Sequence, residues 1–571
     1  VTADAGRTSF PAEDGEPLAK DASAADDPVG ATRPAGDADP PPEAARRRGW
    51  VRVRRVALWS LTGLVTLAVV LGLVGVWLVR RSFPQYGGEL ALPGLQATVT
   101  VHRDQHGIPQ IYADSAGDLF RAEGYVHAQE RFWEMDFRRH VTGGRLSELF
   151  GATQLETDTY LRTMGWRRVA EQEWAIISPQ SREYLQAYAD GVNAWLAQHG
   201  DGEPGGRVSL EYTILGLQNS GYRIEKWDPV DSLAWLKAMA WDLRGNMSDE
   251  IERATLLGKG LSREQVEQLY PAYPYTMNRP IVDGGAVTGG GFVATGTSAP
   301  AGGVGGGVGF PAAVPALEMI RNDLAGLPAL LGRNGPDIGS NSWVIAGSRT
   351  ATGKPLLAND PHLAPTMPGI WFQVGLHCGC GYQVSGFSFS GVPGVVIGHN
   401  DRIAWGFTNL GPDVTDLYLE KVDGDRVQVD GGWRDLAKRQ ETIKIAGGVP
   451  VTITVRTGRN GPLLSDASKE LKELGGPYAV ALRWTALDPG RTIDALFALN
   501  RAGDWTGFRA AAALFEVPAQ NMVYADVAGN IGYQAPGRIP VRGKGDGKWP
   551  APGWDSAYQW RSFIPLAELP T

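Results

Sequence analysis

The chain has 571 residues, a formal net charge of −8 and 43% hydrophobic residues, among them 19 Trp, which suits a large folded enzyme or two to three domains with a substantial buried core. With this acidic balance and no dense Lys/Arg run outside residues 46–55, the footprint of a nucleic-acid-binding protein is missing, and nucleic acid is set aside as a partner. Two cysteines, Cys378 and Cys380, exclude a cysteine-rich zinc site and a disulfide framework.

Residues 1–49, rich in Ala, Asp, Pro and Gly near their start, carry too few large apolar side chains to offset the entropy of ordering, and they read as a disordered tail. Residues 50–82 follow as a membrane anchor. The run from Val56 to Val79 contains no charge and is long enough to cross a hydrocarbon core. Six arginines between Arg46 and Arg55 precede it and only Arg80 and Arg81 follow at once, so the positive-inside rule puts the tail in the cytoplasm and the remainder outside the cell membrane on a single-pass anchor. A cleaved signal peptide is the rival reading, with a shorter apolar run and a small-residue cleavage site as its usual marks.

Beyond the anchor, residues 97–101 and 108–113 alternate like two strands around a turn, and residues 116–149, 180–198 and 229–243 carry apolar side chains at helical intervals. No spacing argument covers the segment just past Leu149. Residues 284–315 hold repeated glycines and several prolines, a flexible-linker composition that suits an interdomain connection or a removable spacer over 284–339. Residues 343–346 and 355–358 flank a polar turn and predict an antiparallel hairpin. The midpoint of positions 340 and 362 falls at Ala351 in that turn, so regular pairing would set Ser340 opposite His362 at the hairpin's open end. Residues 395–398 with 403–408, and 522–526 with 531–535, predict two further hairpins, and the whole reads as a layered α+β architecture. Cys378 and Cys380, with His377 beside them, bind a metal weakly or form a buried pair or a local disulfide.

Two familiar motifs fail. Gly347 to Pro355 has five residues between its glycines and Pro355 where a P-loop needs Ser or Thr, and Gly386 to Ser390 lacks the last glycine of a nucleophile elbow. Ser340 is different: it follows Gly339, and cutting that bond would give one residue a nucleophilic hydroxyl and a free α-amine to act as its base.

The block Ser340-Asn341-Ser342-Trp343, with 351–363 (Ala-Thr-Gly-Lys-Pro-Leu-Leu-Ala-Asn-Asp-Pro-His-Leu), resembles the penicillin acylase family of N-terminal-nucleophile hydrolases. The likeness extends upstream to Val101-His102-Arg103-Asp104 and to 124–131, and downstream to 398–400, 405–409 and 521–533. This resemblance implies a four-layer αββα sandwich and self-cleavage between Gly339 and Ser340 into an upstream chain (88–283) and a downstream chain (340–571) that stay together as a heterodimer. It further implies hydrolysis of a small acyl amide, a linear amide, through an acyl-enzyme on Ser340. The backbone N–H of Asn409 and the side-chain amide of Asn521 would form the oxyanion hole, Arg542 would support Asn521 and the serine amine, and His362 would set its backbone, or its ring as well, beside the nucleophile. Read alone, Asn521 is equally a turn residue and His362 a structural histidine. The resemblance also implies a structural calcium ion held by Glu250, Asp413, Asp416 and the Thr415 carbonyl, hard oxygens that suit it, or else these are solvated loop acids. No organic cofactor is expected. Only 232 residues run from Ser340 to Thr571, shorter than the family's usual downstream chain, so a truncated end is expected. A membrane-tethered binding protein of the same fold, without activity, is the alternative.

Overall fold

The computed structural model describes residues 43–571 except 201–206, 272–273, 275–276, 278–284, 289–290, 295–309, 331–338, 475 and 477. Most of the expected tail and much of the expected 284–339 spacer lie outside the described residues. Residues up to Val74 and residues from Gly75 onward form separate units. The helix Glu43–Arg80 contains a stretch, Trp50–Arg80, long and apolar enough to cross a membrane, with its large apolar side chains exposed.

The second unit is organised by an eight-stranded sheet. From edge to edge its strands are Thr100–Arg103, Pro109–Ala113, Trp371–Cys378, Tyr382–Phe389, Val392–Asn400, Ile403–Asn409, Gln520–Asp526 and Ile531–Gln534. Every neighbouring pair is antiparallel except Pro109–Ala113 with Trp371–Cys378, which run parallel from Gln110↔Gly375 to Ala113↔Cys378. That parallel seam joins the two strands upstream of Ser340 to the six downstream. One face of the sheet packs on helices, among them Ala116–Gly143, Pro179–His199, Pro229–Asp242 and Thr492–Asn500. Ser115 caps the first of these through Asp118 N, and Asp228 opens the third with a reciprocal capping box. The first two helices touch backbone to backbone where Gly124 and Gly191 meet: a Cβ there would fall 2.1 Å from Tyr188 O or 1.8 Å from Arg121 O, so only glycine permits the approach.

On the opposite face lies the hairpin Gly339–Ile345/Leu356–His362, packed over Ile403–Asn409, Gln520–Asp526 and Ile531–Gln534. A smaller sheet of Thr415–Glu420, Ala479–Trp484 and Ala551–Pro552 stands beside this layered body.

The structure adds detail to three readings that the sequence left open. The stretch past Leu149 is helical, as Leu155–Met164 and Trp166–Ile176. Inside the expected spacer, Phe310–Ala325 is a helix packed on Met247–Gly258, with Leu317 and Ile320 fully buried; Leu317, Ile320 and Leu324 recur at helical spacing, which a composition count dominated by glycine hides. Cys378 and Cys380 form a disulfide across the turn after Trp371–Cys378, and His377 sits between Gln110 and Gln383 instead of beside a thiol ligand.

Candidate active site

Ser340 occupies the second position of the hairpin, and its hydroxyl donates to the Gly339 carbonyl at 2.6 Å. The Ser340 hydroxyl therefore rests against the Gly339–Ser340 peptide, at the exposed start of the strand. Hairpin register decides what accompanies it. Ser340 pairs with Pro361 and Gly339 with His362, one residue away from the symmetric pairing that the sequence suggests. Cross-strand partners share a face, and a shift of one residue moves a side chain to the other face. Ser340, Pro361, Ser342 and Asn359 accordingly face the sheet, while His362 faces outward, where its Nε2 bonds Asp360 Oδ2 at 2.8 Å. The structure does not bring the His362 ring to Ser340.

Asn359 fixes the hairpin to the sheet. Its Oδ1 accepts from Phe407 N at 2.9 Å, and its Nδ2 donates to Phe407 O at 2.9 Å and to Asn341 O at 3.2 Å. Pairing between Val392–Asn400 and Ile403–Asn409 stops at Trp405↔Gly398, so the Asn359 amide takes the place of a strand neighbour for Phe407. Gly406 makes room, since a Cβ on it would come within 2.7 Å of Asn359 Cβ.

The same ladder orients Asn409. Leu410 N donates to Ala519 O, in register with Asn409↔Gln520 and Thr408↔Asn521. Antiparallel pairs alternate between hydrogen-bonded and non-hydrogen-bonded, which leaves Asn409 N–H, like Phe407 N–H two residues earlier, pointing away from the Gln520 strand. That is the side on which the hairpin grips Phe407. The Asn409 side chain is committed elsewhere, donating to Leu243 O at 2.9 Å. Asn521 lies on the hairpin face beside Thr408; its Nδ2 donates to Asn409 O at 3.2 Å, with Thr408 O at 3.5 Å, and its Oδ1 accepts from Tyr533 OH at 2.6 Å. Sequence reasoning missed Tyr533, although the hairpin register Val523↔Tyr533 makes it a diagonal neighbour of Asn521 on one face.

Ser340, Asn409 and Gln520 share a cleft with apolar walls, to which Leu236, Met239 and Leu243 contribute from upstream and Trp371, Phe389 and Phe407 from downstream. Trp371 stacks on Phe389 at 4.3 Å between ring centroids. A hydroxyl and two carboxamide-bearing residues, Asn409 and Gln520, are thus gathered on a cleft suited to an apolar ligand.

Arg542 is not at Asn521. Its Nε reaches Asp416 Oδ2 at 2.8 Å and Oδ1 at 3.1 Å, and its Nη2 reaches Asp413 Oδ1 at 2.7 Å and Asp416 Oδ1 at 2.9 Å. Asp416 also accepts from Trp560 Nε1, and both Glu250 carboxyl oxygens accept from Leu417 N, at 3.1 and 3.3 Å. Thr415 Oγ1 contacts Gly245 O and Asn246 Oδ1. Asp413 and Asp416, two of the expected calcium ligands, thus converge on a guanidinium, with Glu250 close by. Burial, then Asp416 and Asp413, pushes the Glu250 carboxyl well up; burial also raises Asp413, to about 7, with Arg542 opposing. Despite burial, Asp416 and Asp413 hold Arg542 above its ordinary value. Among the described residues no group of three or more His, Cys, Asp or Glu has metal-holding geometry. With the Asp416 and Asp413 oxygens accepting from Arg542, this arrangement does not fit a calcium ion.

The penicillin amidase family profile matches residues 98–571. The chain is 35% identical over 511 residues to acyl-homoserine lactone acylase QuiP of Pseudomonas aeruginosa, covering 86% of this chain and 56% of that protein. It is 30% identical to penicillin acylase 2 proenzyme of a Pseudomonas species, over 86% of this chain and 59% of the relative, and 28% identical to penicillin G acylase of Escherichia coli, over 84% and 59%. Among solved structures, the orthorhombic form of thermostable penicillin G acylase from Alcaligenes faecalis aligns with a TM-score of 0.36 at 29% identity, over 40% of this chain and 41% of that one. The chain spans a little over half the length of these curated relatives. It belongs to the penicillin amidase family, whose members are N-terminal-nucleophile hydrolases.

Proposed function

We propose that this penicillin amidase family member cleaves itself between Gly339 and Ser340 and then hydrolyses small N-acyl amides through an acyl-enzyme on Ser340. The observation that carries this reading is that Ser340, in contact with the Gly339 carbonyl, lines an apolar cleft together with Asn409, whose carbonyl accepts from the Asn521 amide. In the first reaction Ser340 Oγ attacks the Gly339 carbonyl carbon, the C–N bond breaks, the serine amine is freed and an ester remains; water then hydrolyses that ester. In the second, the freed α-amine, with a reference pKa of about 7.7–8.0, takes the hydroxyl proton as Oγ attacks the substrate amide, and the leaving amine departs with a proton. Asn409 N–H and Asn521 Nδ2 receive the charge on the carbonyl oxygen, each such donor being worth about 10²–10³ in turnover.

The cleft walls favour an apolar acyl group, and the acyl-homoserine lactone and penicillin acylases among the relatives support an acyl amide substrate. The upstream 88–283 and downstream 340–571 parts would remain a heterodimer after cleavage, because the parallel pairing of Pro109–Ala113 with Trp371–Cys378 keeps them in one sheet. Residues 284–339 would be the spacer, its Phe310–Ala325 helix retained by packing on Met247–Gly258. The hairpin would belong to the second sheet of an αββα sandwich. Trp50–Arg80 would anchor the protein in the cell membrane with the catalytic part outside. This reading assigns the Glu250–Asp413–Asp416 knot no calcium ion, because Arg542 supplies its positive charge.

A denaturing gel tests the proposal. Wild type should run as two fragments, one of them beginning at Ser340, and Ser340→Ala should run as one; an intact wild type lacking amidase activity would leave the inactive binding protein as the better description.

A further inference from the structure

Resting on the proposed oxyanion role of Asn521, we infer that Tyr533 is the positioning residue of this site: its hydroxyl holds the Asn521 amide with Oδ1 turned inward and Nδ2 presented to the reacting oxygen. An asparagine amide has two ends of nearly equal size, and rotation by half a turn exchanges two donor protons for an acceptor oxygen. An oxyanion hole needs the donor end. Two contacts select it: Tyr533 OH donates to Oδ1 at 2.6 Å, and Asn409 O accepts from Nδ2 at 3.2 Å. The reversed amide would set Oδ1 against the Asn409 carbonyl oxygen and the Nδ2 protons against the Tyr533 O–H. Asn409 O takes one Nδ2 proton and Thr408 O lies at 3.5 Å, the limit of a hydrogen bond, so an incoming oxygen has that long contact to displace.

Arg542, the residue expected from the sequence to support Asn521, is committed to Asp413 and Asp416. Among the described residues, Tyr533 is the donor to Asn521 Oδ1. The phenol is anchored by its strand, Ile531–Gln534, where Tyr533 pairs with Val523 on the face that carries Asn521. Partial burial raises the Tyr533 pKa above its ordinary value, so the hydroxyl stays a donor throughout the range in which an α-amine base works. Nothing in this arrangement requires Tyr533 to touch substrate, and its effect passes wholly through Asn521.

The test uses the full chain in detergent, with a decanoyl p-nitroanilide and penicillin G as probes, and compares Tyr533→Phe, Asn521→Ala and the double variant. Losing one neutral hydrogen bond predicts a fall in kcat of about tenfold for Tyr533→Phe with KM held within twofold. Added to Asn521→Ala, the same change should cost nothing more, because the amide it orients is gone. A merely structural tyrosine would give losses that multiply. As a second variant that keeps shape and hydroxyl, a fluorinated tyrosine of lower phenol pKa at position 533 should introduce a new fall in kcat on the alkaline side, where phenolate faces Oδ1. Tyr533→Phe within twofold of wild type in kcat, fully multiplicative losses, or an unchanged pH profile with the fluorinated residue would each overturn the inference. Ser340→Ala separates the two levels: if it retains activity the proposed function itself fails, whereas a dead Ser340→Ala, an impaired Asn521→Ala and a normal Tyr533→Phe reject the role of Tyr533 alone.

Discussion

Replacing Asn359 by alanine probes the joint on which the site depends. The side chain bonds both Phe407 backbone groups, and Phe407 is 7% exposed, so truncation leaves a donor and an acceptor with little access to water. Each unsatisfied group costs about 1–3 kcal/mol, and with some solvent entry the pair should cost about 2–4 kcal/mol in hairpin docking. The functional effect should exceed the loss of stability, because the same joint places the strand carrying Ser340 over the strand carrying Asn409. A displacement of about 1 Å at reacting groups costs about 10²-fold in rate. Pulse-chase on a denaturing gel gives the self-cleavage rate, and thermal unfolding of the uncleaved Ser340→Ala chain, with and without Asn359→Ala, gives the docking cost free of processing. Gly406→Ala should act in the same direction, since its Cβ must displace Asn359. Self-cleavage at the wild-type rate together with an unchanged melting temperature in Asn359→Ala would show that the hairpin is held some other way, and the reasoning would fail.

His362→Ala should leave kcat within about threefold and stability within about 1 kcal/mol, because the His362–Asp360 pair has side chains 41% and 72% exposed and lies on the outer face; a tenfold loss in kcat would mean that the ring reaches Ser340. Arg542→Ala should destabilise the chain by about 3–5 kcal/mol, leaving buried carboxylates without their partner, and should make its melting temperature rise with added calcium. Wild type should melt at the same temperature with or without a chelator, and a drop on chelation would restore a metal to the knot. Burial, with Arg131 adding to it, lowers the His127 pKa to about 3, so the ring is neutral in the fold while the unfolded chain takes up a proton below about 6.5. The unfolded state binds the extra proton in that window, so stability from this group is complete above pH 6.5 and falls by up to about 1.4 kcal/mol per pH unit towards pH 3. The neighbouring Glu123, raised by burial, has the opposite sign, and the slope difference between wild type and His127→Gln isolates the histidine; equal slopes would refute the assignment. Trp371→Ala should open the cleft beside Phe389 and shift kcat/KM towards longer acyl chains, as a series of acyl p-nitroanilides would register.

The sequence alone determined what depends on local pattern. Strand alternation and turn residues located the hairpins around residues 351, 401 and 528, helical spacing located three of the principal helices, and an uncharged run marked the candidate membrane span. The family motifs likewise singled out Ser340, Asn409 and Asn521, since the residue types and their order are properties of the chain. Tertiary structure decided whatever depends on which face a side chain takes and which distant group reaches it first. A register shift of one residue, invisible to composition, turned His362 away from Ser340. Arg542 stands 21 positions after Asn521 and more than a hundred after Asp413 and Asp416, yet two carboxylates buried beside it outcompete a neutral amide for its charge. Tyr533 became the partner of Asn521 only because two strands align their diagonals on the face beneath the hairpin. Local backbone preference acts over a few residues, whereas pairing register and the neutralisation of buried charge are settled by the packed chain as a whole.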